Sequence, residues 1–254
     1  MVFVYEVMSG NPVSVSPQDP LTKARSIMRK HGYRALPVVL DRKLVGIVSR
    51  GDVMKFTSNR SNLSVGGIMT KNVLVAKPDD DVNDAAKTMI TGEVRQLPVV
   101  DGEVRGVITA LDILKSLIRG GHTPKKRRVN DVMTTDVVYC SPDDDLTAIW
   151  DKTTKSGFSG LPVVSRKKVV GIITRGDLLK RGSFRISRES GKTKTAQVSK
   201  VMKTPPIKVK TGSFVADAGS LMTGNRIMRI PVVNDKNELV GIVDVEDILR
   251  AYVA

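Results

Sequence analysis

LPVVLDRKLVGIVSRGD, residues 36–52, decides how this chain is built. ALPVVL and KLVGIVS are short, nearly continuous apolar runs, the composition of strands buried on both faces. Asp41-Arg42-Lys43 between them suits a tight hairpin, and GDVMKFT after them starts a helix. Towards the N-terminus, PLTKARSIMRKHG places Leu21, Ala24, Ile27 and Met28 at helical spacing, with Gly32 as the C-terminal stop. PVSVS before that reads as a short strand, so the unit is β-α-β-β-α.

The same order returns as LPVVDGEVRGVITALD (97–112), LPVVSRKKVVGIITRGD (161–177) and IPVVNDKNELVGIVDVED (230–247). A methionine leads each copy (Met8, Met69, Met133, Met202), and an aliphatic residue follows 13 positions later (Leu21, Val82, Leu146, Val215). Pro37, Pro98, Pro162 and Pro231 open the hairpins; Gly46, Gly106, Gly171 and Gly241 sit between aliphatics in their second strands. Asp52, Asp112, Asp177 and Asp247 each come 6 residues after the glycine. A period of roughly sixty residues defines an α/β repeat protein. The expected units are 1–57, 58–120, 121–183 and 184–254, each too small to bury enough surface without a neighbour.

The net charge is +15, and residues 119–128 and 180–200 carry +11 of it. These Gly-, Ser- and Thr-rich linkers read as solvated connectors. Their Lys125, Lys126, Arg127, Arg128, Arg185, Arg188, Lys192 and Lys194 could also attract nucleic acid or an acidic partner. No apolar run reaches the length of a membrane span. The N-terminus does not read as a signal peptide. The single cysteine, Cys140, lies in the apolar run VVYC and reads as a buried, inert thiol, in keeping with a cytoplasmic protein.

The pattern of Met, LPVV, VGI(V/I)(T/S) and Asp, in register four times, resembles the CBS domain, named after cystathionine β-synthase. The resemblance implies tandem pairing of repeats into two Bateman modules, 1–120 and 121–254. It further implies a flat disc, as in the gamma subunit of AMP-activated protein kinase.

Ser49–Asp52, Thr109–Asp112 and Thr174–Asp177 close their hairpins with Ser/Thr-x-x-Asp. The motif forms a capping box at a helix start. It also sets a carboxylate beside free N–H groups that favour an anion. In CBS domains that bind adenine nucleotides, the matching Asp holds the ribose. The resemblance therefore marks Asp52, Asp112, Asp177 and Asp247 as ribose ligands, with Ser49, Thr109 and Thr174 near ribose or phosphate. Arg34, Arg95 and Arg229 precede or open the second strand, and Arg50 and Arg175 lie inside SRGD and TRGD. Planar guanidiniums suit phosphate oxygens, and the resemblance places basic side chains over a central phosphate region.

Two repeats depart from the pattern. The fourth has Asp244 where the others carry a hydroxyl, a second negative charge expected to repel phosphate there. The third has Ser159 and Gly160 in place of Arg34 and Ala35, so its phosphate contacts must come from Arg175 or another repeat. It also carries Trp150 in place of Arg25, read as a packing residue. Two histidines, one cysteine and no GxxxxGK[ST] run point to no catalytic or metal centre. Asp79–Asp81 and Asp143–Asp145 read as helix-leading acidic turns. The expectation is a non-enzymatic regulatory protein that binds AMP, ADP or ATP as its ligand, requires no cofactor and senses energy state. S-adenosylmethionine sensing and nucleic-acid binding through the linkers are the alternatives. A protein target and a homodimer are further expected partners, and a membrane is not.

Overall fold

A computed structural model of the chain describes residues 1–56, 63–155, 158–180 and 196–253. The boundaries expected at 57/58 and 183/184, and Arg185, Arg188, Lys192 and Lys194 of the second linker, lie outside them. In chain order the elements are α1 (Val4–Val7), β1 (Ser9–Gly10), α2 (Leu21–His31), β2 (Ala35–Leu40), β3 (Lys43–Ser49) and α3 (Arg50–Lys55). The second repeat adds α4 (Val82–Thr91), β4 (Gln96–Asp101), β5 (Glu103–Thr109) and α5 (Ala110–Arg119). The third adds α6 (Leu146–Lys155), β6 (Gly160–Ser165), β7 (Lys168–Thr174) and α7 (Arg175–Lys180). The fourth adds β8 (Val209–Lys210), α8 (Val215–Asn225), β9 (Arg229–Val233), β10 (Leu239–Asp244) and α9 (Val245–Val253).

The hairpins turn as their tips require. Asp41 and Arg42 have φ of 48° and 65°, and Arg166 and Lys167 have 48° and 66°. Two successive left-handed residues give the two-residue turn whose twist matches antiparallel strands. In the second repeat Gly102 (φ 67°) alone makes the turn. The strand expected before the first helix shrinks to single parallel bridges in three repeats: Val15 with Val38, Ala76 with Val99, Cys140 with Val163. Only the fourth forms a strand there, β8 beside β9. All four hairpins open on a proline, which bars the pairing from growing backwards; the fourth grows forwards instead, where Thr211 N–H donates to Val233 carbonyl at 3.2 Å. Pro37 can accept Val15 N–H at 3.0 Å but has no N–H to return, so pairing reduces to that bond and Val39 N–H to Val15 carbonyl at 2.8 Å.

Repeats exchange their leading segments. Ser9 of the first pairs with Val107 of the second, and Thr70 of the second pairs with Ile47 of the first. Thr134 pairs with Ile242, and Lys203 with Ile172, across repeats three and four. The exchange explains the recurring methionines and glycines. A Cβ on Gly106 would lie 2.6 Å from Met8 Sδ, on Gly46 2.6 Å from Met69, on Gly171 2.7 Å from Met202 and on Gly241 2.6 Å from Met133. Each methionine lies over its partner's glycine, and no larger residue fits beneath it. The partners are one with two and three with four, the two expected modules.

Helices join the modules, unequally. On one side, α4 and α5 of the second repeat pack against α8 and α9 of the fourth, and one core runs through Ile113, Leu114, Leu117, Val215, Met222, Ile248 and Leu249. Gly219 lets α8 approach closely: a Cβ there would meet Ile118 at 3.2 Å and Ile248 at 3.3 Å. On the other side, α3 meets α7, and among the described residues Met54 is the first-repeat residue that enters the core of the third. Trp150 is buried in that same core, the packing role expected of it. Cys140 is buried as well, donates weakly to the Pro162 carbonyl, and has its thiol pushed up to about 12, chiefly by burial.

The first basic linker is not a free connector. Lys125 N–H donates to Ala251 carbonyl at 2.8 Å, and Val129 N–H to Ser213 carbonyl at 2.9 Å. The Arg128 guanidinium stacks 4.0 Å over the Phe214 ring and donates to Gly212 carbonyl at 2.7 Å. The reason is the exchange itself: the linker leads the segment that the third repeat lays on the fourth. Among the described residues, no helix is long and apolar enough to cross a membrane.

Candidate functional site

Each Ser/Thr-x-x-Asp forms the reciprocal cap its spacing predicts. Ser49 N–H and Oγ–H donate to Asp52 Oδ2 at 3.0 and 2.6 Å, and Asp52 N–H returns to Ser49 Oγ at 3.3 Å. Thr109 with Asp112 (2.9, 2.6 and 3.3 Å) and Thr174 with Asp177 (3.0, 2.5 and 3.3 Å) repeat the geometry. Such a cap stabilises a helix by about 1 kcal/mol, so the motif has a structural task in all three. The task uses only Oδ2. Asp52 Oδ1 lies 3.6 Å from Lys55 Nζ and Asp177 Oδ1 3.7 Å from Lys203 Nζ, both with exposed lysines. Asp112 Oδ1 has no hydrogen-bond or ion partner among the described residues. One acceptor per aspartate therefore remains at a helix start.

The fourth repeat caps differently. Asp247 Oδ2 accepts Asp244 N–H at 2.8 Å without a hydroxyl. Burial foremost, together with the Asp244 and Glu246 carboxylates, outweighs that hydrogen bond and Arg250 and pushes the Asp247 carboxyl up to about 6. Asp244 is not the free repelling charge expected. Its Oδ2 accepts from Arg229 at 2.8 Å and from Arg95 at 3.0 Å.

The arginines that the sequence spreads over 195 positions gather between the repeats. Burial lowers the proton affinity of Arg34 to about 10, and repulsion from Arg50, Arg95 and Arg229 adds to it; the residue as a whole keeps an exposed face. Arg175 is lowered by burial and by Arg229 and Arg95. Within the cluster the five differ in engagement. Arg50 donates to the carbonyls of Tyr33, at 2.7 Å, and Gly32, and Arg175 to that of Thr153 at 2.6 Å. Arg229 reaches Gly160 carbonyl of the third repeat at 2.5 Å, filling the side where Ser159 replaces an arginine. Arg34 has no side-chain hydrogen bond or ion pair among the described residues.

Repeats one and three also cross their motifs. A Cβ on Gly51 would lie 3.0 Å from Arg175 Nη1, and one on Gly176 2.7 Å from Arg50 Nη1. Each arginine of the Arg-Gly-Asp step lies over the other repeat's glycine. Repeats two and four, with Ala110-Leu111 and Val245-Glu246 at those places, have no such crossing. Sequence reasoning also passed over Val13, Leu74, Val75 and Tyr139, large apolar side chains left exposed. Their shared place, 5 or 6 residues after Met8, Met69 and Met133, was the available signal. The acidic turns serve as helix caps: Asp81 accepts Asn83 N–H at 2.7 Å and Asp145 accepts Thr147 N–H at 2.6 Å.

A family model described as the CBS domain matches residues 4–59, 65–119, 129–183 and 198–254. Protein MJ1225 of Methanocaldococcus jannaschii is 28% identical over 267 residues, covering 94% of this chain and 95% of that protein. Its crystal structure, presented as that of a proposed archaeal homologue of g-AMPK, matches with a TM-score of 0.86 at 27% identity, over 98% of this chain and 99% of that one. The crystal structure of an uncharacterised conserved protein from Pyrococcus horikoshii matches with a TM-score of 0.70 at 25% identity, over 99% of this chain and 100% of that one. The inosine-5'-monophosphate dehydrogenase of Korarchaeum cryptofilum is 42% identical over 103 residues, which are 40% of this chain but only 21% of the enzyme. Most of that enzyme has no counterpart here.

Proposed function

We propose that this chain, which belongs to the CBS-domain family through all four of its repeats, is a non-catalytic regulatory protein that binds adenine nucleotides and reports energy state. The observation that carries the reading is the convergence of Arg34, Arg50, Arg95, Arg175 and Arg229 beside helix starts whose aspartates use only Oδ2 in the cap. Guanidiniums brought close at the cost of mutual repulsion favour a polyanion that relieves it. A ribose diol can donate to the spare Oδ1, and the exposed apolar side chains at Val13, Leu74, Val75 and Tyr139 offer faces for a base. The full-length likeness to MJ1225 supports a regulatory, four-repeat assembly. Phosphate also separates the two ligand classes, because S-adenosylmethionine carries none and offers the five arginines a single carboxylate.

Signalling follows from the exchanged architecture. A ligand touching two repeats binds one relative orientation better than another, and only that difference in affinity moves the population. Calorimetric titration with AMP, ADP, ATP and S-adenosylmethionine tests the reading. Asp52→Ala, Asp112→Ala and Asp177→Ala should each weaken nucleotide binding at their own cleft by about 1.5–3 kcal/mol, the scale of hydrogen bonds to a charged group. Loss of the cap alone would lower the melting temperature and leave affinity unchanged. If all three variants bind nucleotides as the parent does, the sensor reading fails.

A further inference from the structure

Arg95 of the second repeat is gripped on two sides by the fourth. Its Nη2 donates to Asp244 Oδ2 at 3.0 Å, and its Nε lies 3.1 Å from Glu246 Oε1. The same Asp244 oxygen accepts from Arg229 Nη2 at 2.8 Å. Asp244 stands where the other repeats carry Ser49, Thr109 and Thr174, and Glu246 where they carry Gly51, Leu111 and Gly176. Both acids are therefore peculiar to the fourth repeat, and both are spent on arginines of the central cluster.

The arrangement is that of an anion already bound. One oxygen is shared by two guanidiniums and a second carboxylate flanks them, as two phosphate groups of one ligand would. The carboxylates fit imperfectly: Arg229 Nε and Asp244 Oδ1 are buried without hydrogen-bond partners, and Arg95 Nε and Glu246 Oε1, 3.1 Å apart, pair by charge without a hydrogen bond. A phosphate, with three oxygens in place of two, could meet the stranded Nε of Arg229. The assembly is also reachable, because the side chains of Arg95 and Asp244 are 29% and 22% exposed, whereas that of Arg229 is only 9%.

We propose that Asp244 and Glu246 are a tethered competitor for phosphate, holding Arg95 and Arg229 so that only Arg34 meets an incoming anion unengaged. This rests on the adenine-nucleotide reading for the identity of the ligand. A ligand with one phosphate group binds beside Arg34 and leaves the acids in place. A ligand with three reaches Arg95 and Arg229 only by displacing them. Displacement costs the triphosphate part of its affinity, so the molecule prefers the monophosphate. It also breaks the Asp244–Arg95 link between the second and fourth repeats, which belong to different modules. The acids thus set both charge selectivity and the contact that a triphosphate would open.

Calorimetric titration of the parent, Glu246→Gln and Asp244→Asn with AMP, ATP and inorganic tripolyphosphate tests this. Either variant should bind ATP and tripolyphosphate about tenfold more tightly, while AMP affinity changes less than about threefold, as expected for freeing one charge-assisted site. Melting curves check folding. Glu246→Gln leaves Asp244 on Arg229 and serves if Asp244→Asn does not fold. Equal affinities for ATP and tripolyphosphate in parent and variants, or no tripolyphosphate binding by any form, would sink the competitor. Nucleotides that bind parent and variants alike would do so while leaving the sensor reading intact. Tightened tripolyphosphate binding with no response to any adenine nucleotide would do the reverse, upholding the competitor and removing the sensor.

Discussion

Asp247 shows how one position in a repeated motif can take a different chemistry. It occupies the place of Asp52, Asp112 and Asp177, yet faces Asp244 and Glu246 in place of a hydroxyl, and its carboxyl rises to about 6. The sign of the consequence is the reverse of the usual carboxylate. Between about pH 4, where an unfolded aspartate titrates, and about pH 6, the folded chain holds a proton that the unfolded chain has released. Stability from this group is therefore full below pH 4 and is lost as pH rises through 6. Asp247→Asn, which still offers an acceptor to Asp244 N–H, should shrink the fall in melting temperature between pH 5 and pH 7. An unchanged difference would mean that the proton sits elsewhere.

Elements here are positioned by their partners as much as by their own composition. The hairpins follow from local sequence: period, polar tip and left-handed turn residues agree. The glycine in each second strand follows instead from a methionine in another repeat. Gly106→Ala would bring its Cβ to 2.6 Å from Met8 Sδ and 2.9 Å from Ser9 carbonyl. The sulfur can swing aside, but the carbonyl belongs to the paired strand β1 and cannot. Overpacking of this kind costs about 1–3 kcal/mol. Chemical denaturation of Gly106→Ala should show a loss of that size, and a variant as stable as the parent would mean that β1 can slide away. Gly219 poses the same question for helices, since its missing side chain admits Ile118 and Ile248.

The whole molecule is a ring of four repeats with unlike seams. The second and fourth repeats share one continuous core through α4, α5, α8 and α9. The first and third meet through α3 against α6 and α7 and through α2 against α7, with Met54 and the crossed Arg50 and Arg175 between them. A seam with few shared apolar residues opens at lower free energy than one continuous core. Amides of α3 and α7 should therefore exchange with deuterium well before those of α5 and α9. Uniform protection around the ring would refute the unequal seams. An adenine nucleotide should slow exchange at α3 and α7 if it bridges the first and third repeats.

Repetition made much of this legible without coordinates. Four copies in register established the α/β repeat, the hairpins and the capping boxes, because each depends on residues within a few positions of one another. Trp150 and Cys140 were readable as core for the same reason: their apolar surroundings are local. What the sequence could not assign was which copy serves which. Met8 is equally well spaced for any of the four glycines, and identical Arg-Gly-Asp letters do not say whose glycine lies beneath whose arginine. The parallel strand is a single bridge in three repeats and a two-residue strand only in the fourth, although a proline opens every hairpin, so local composition does not set its length. Asp244 was visible as an odd acid, but a charge repels or pairs according to its neighbours. Arg95 comes 149 residues earlier, and only chain folding brings it within 3.0 Å. Local chemistry determined the units; exchange between them decided the site.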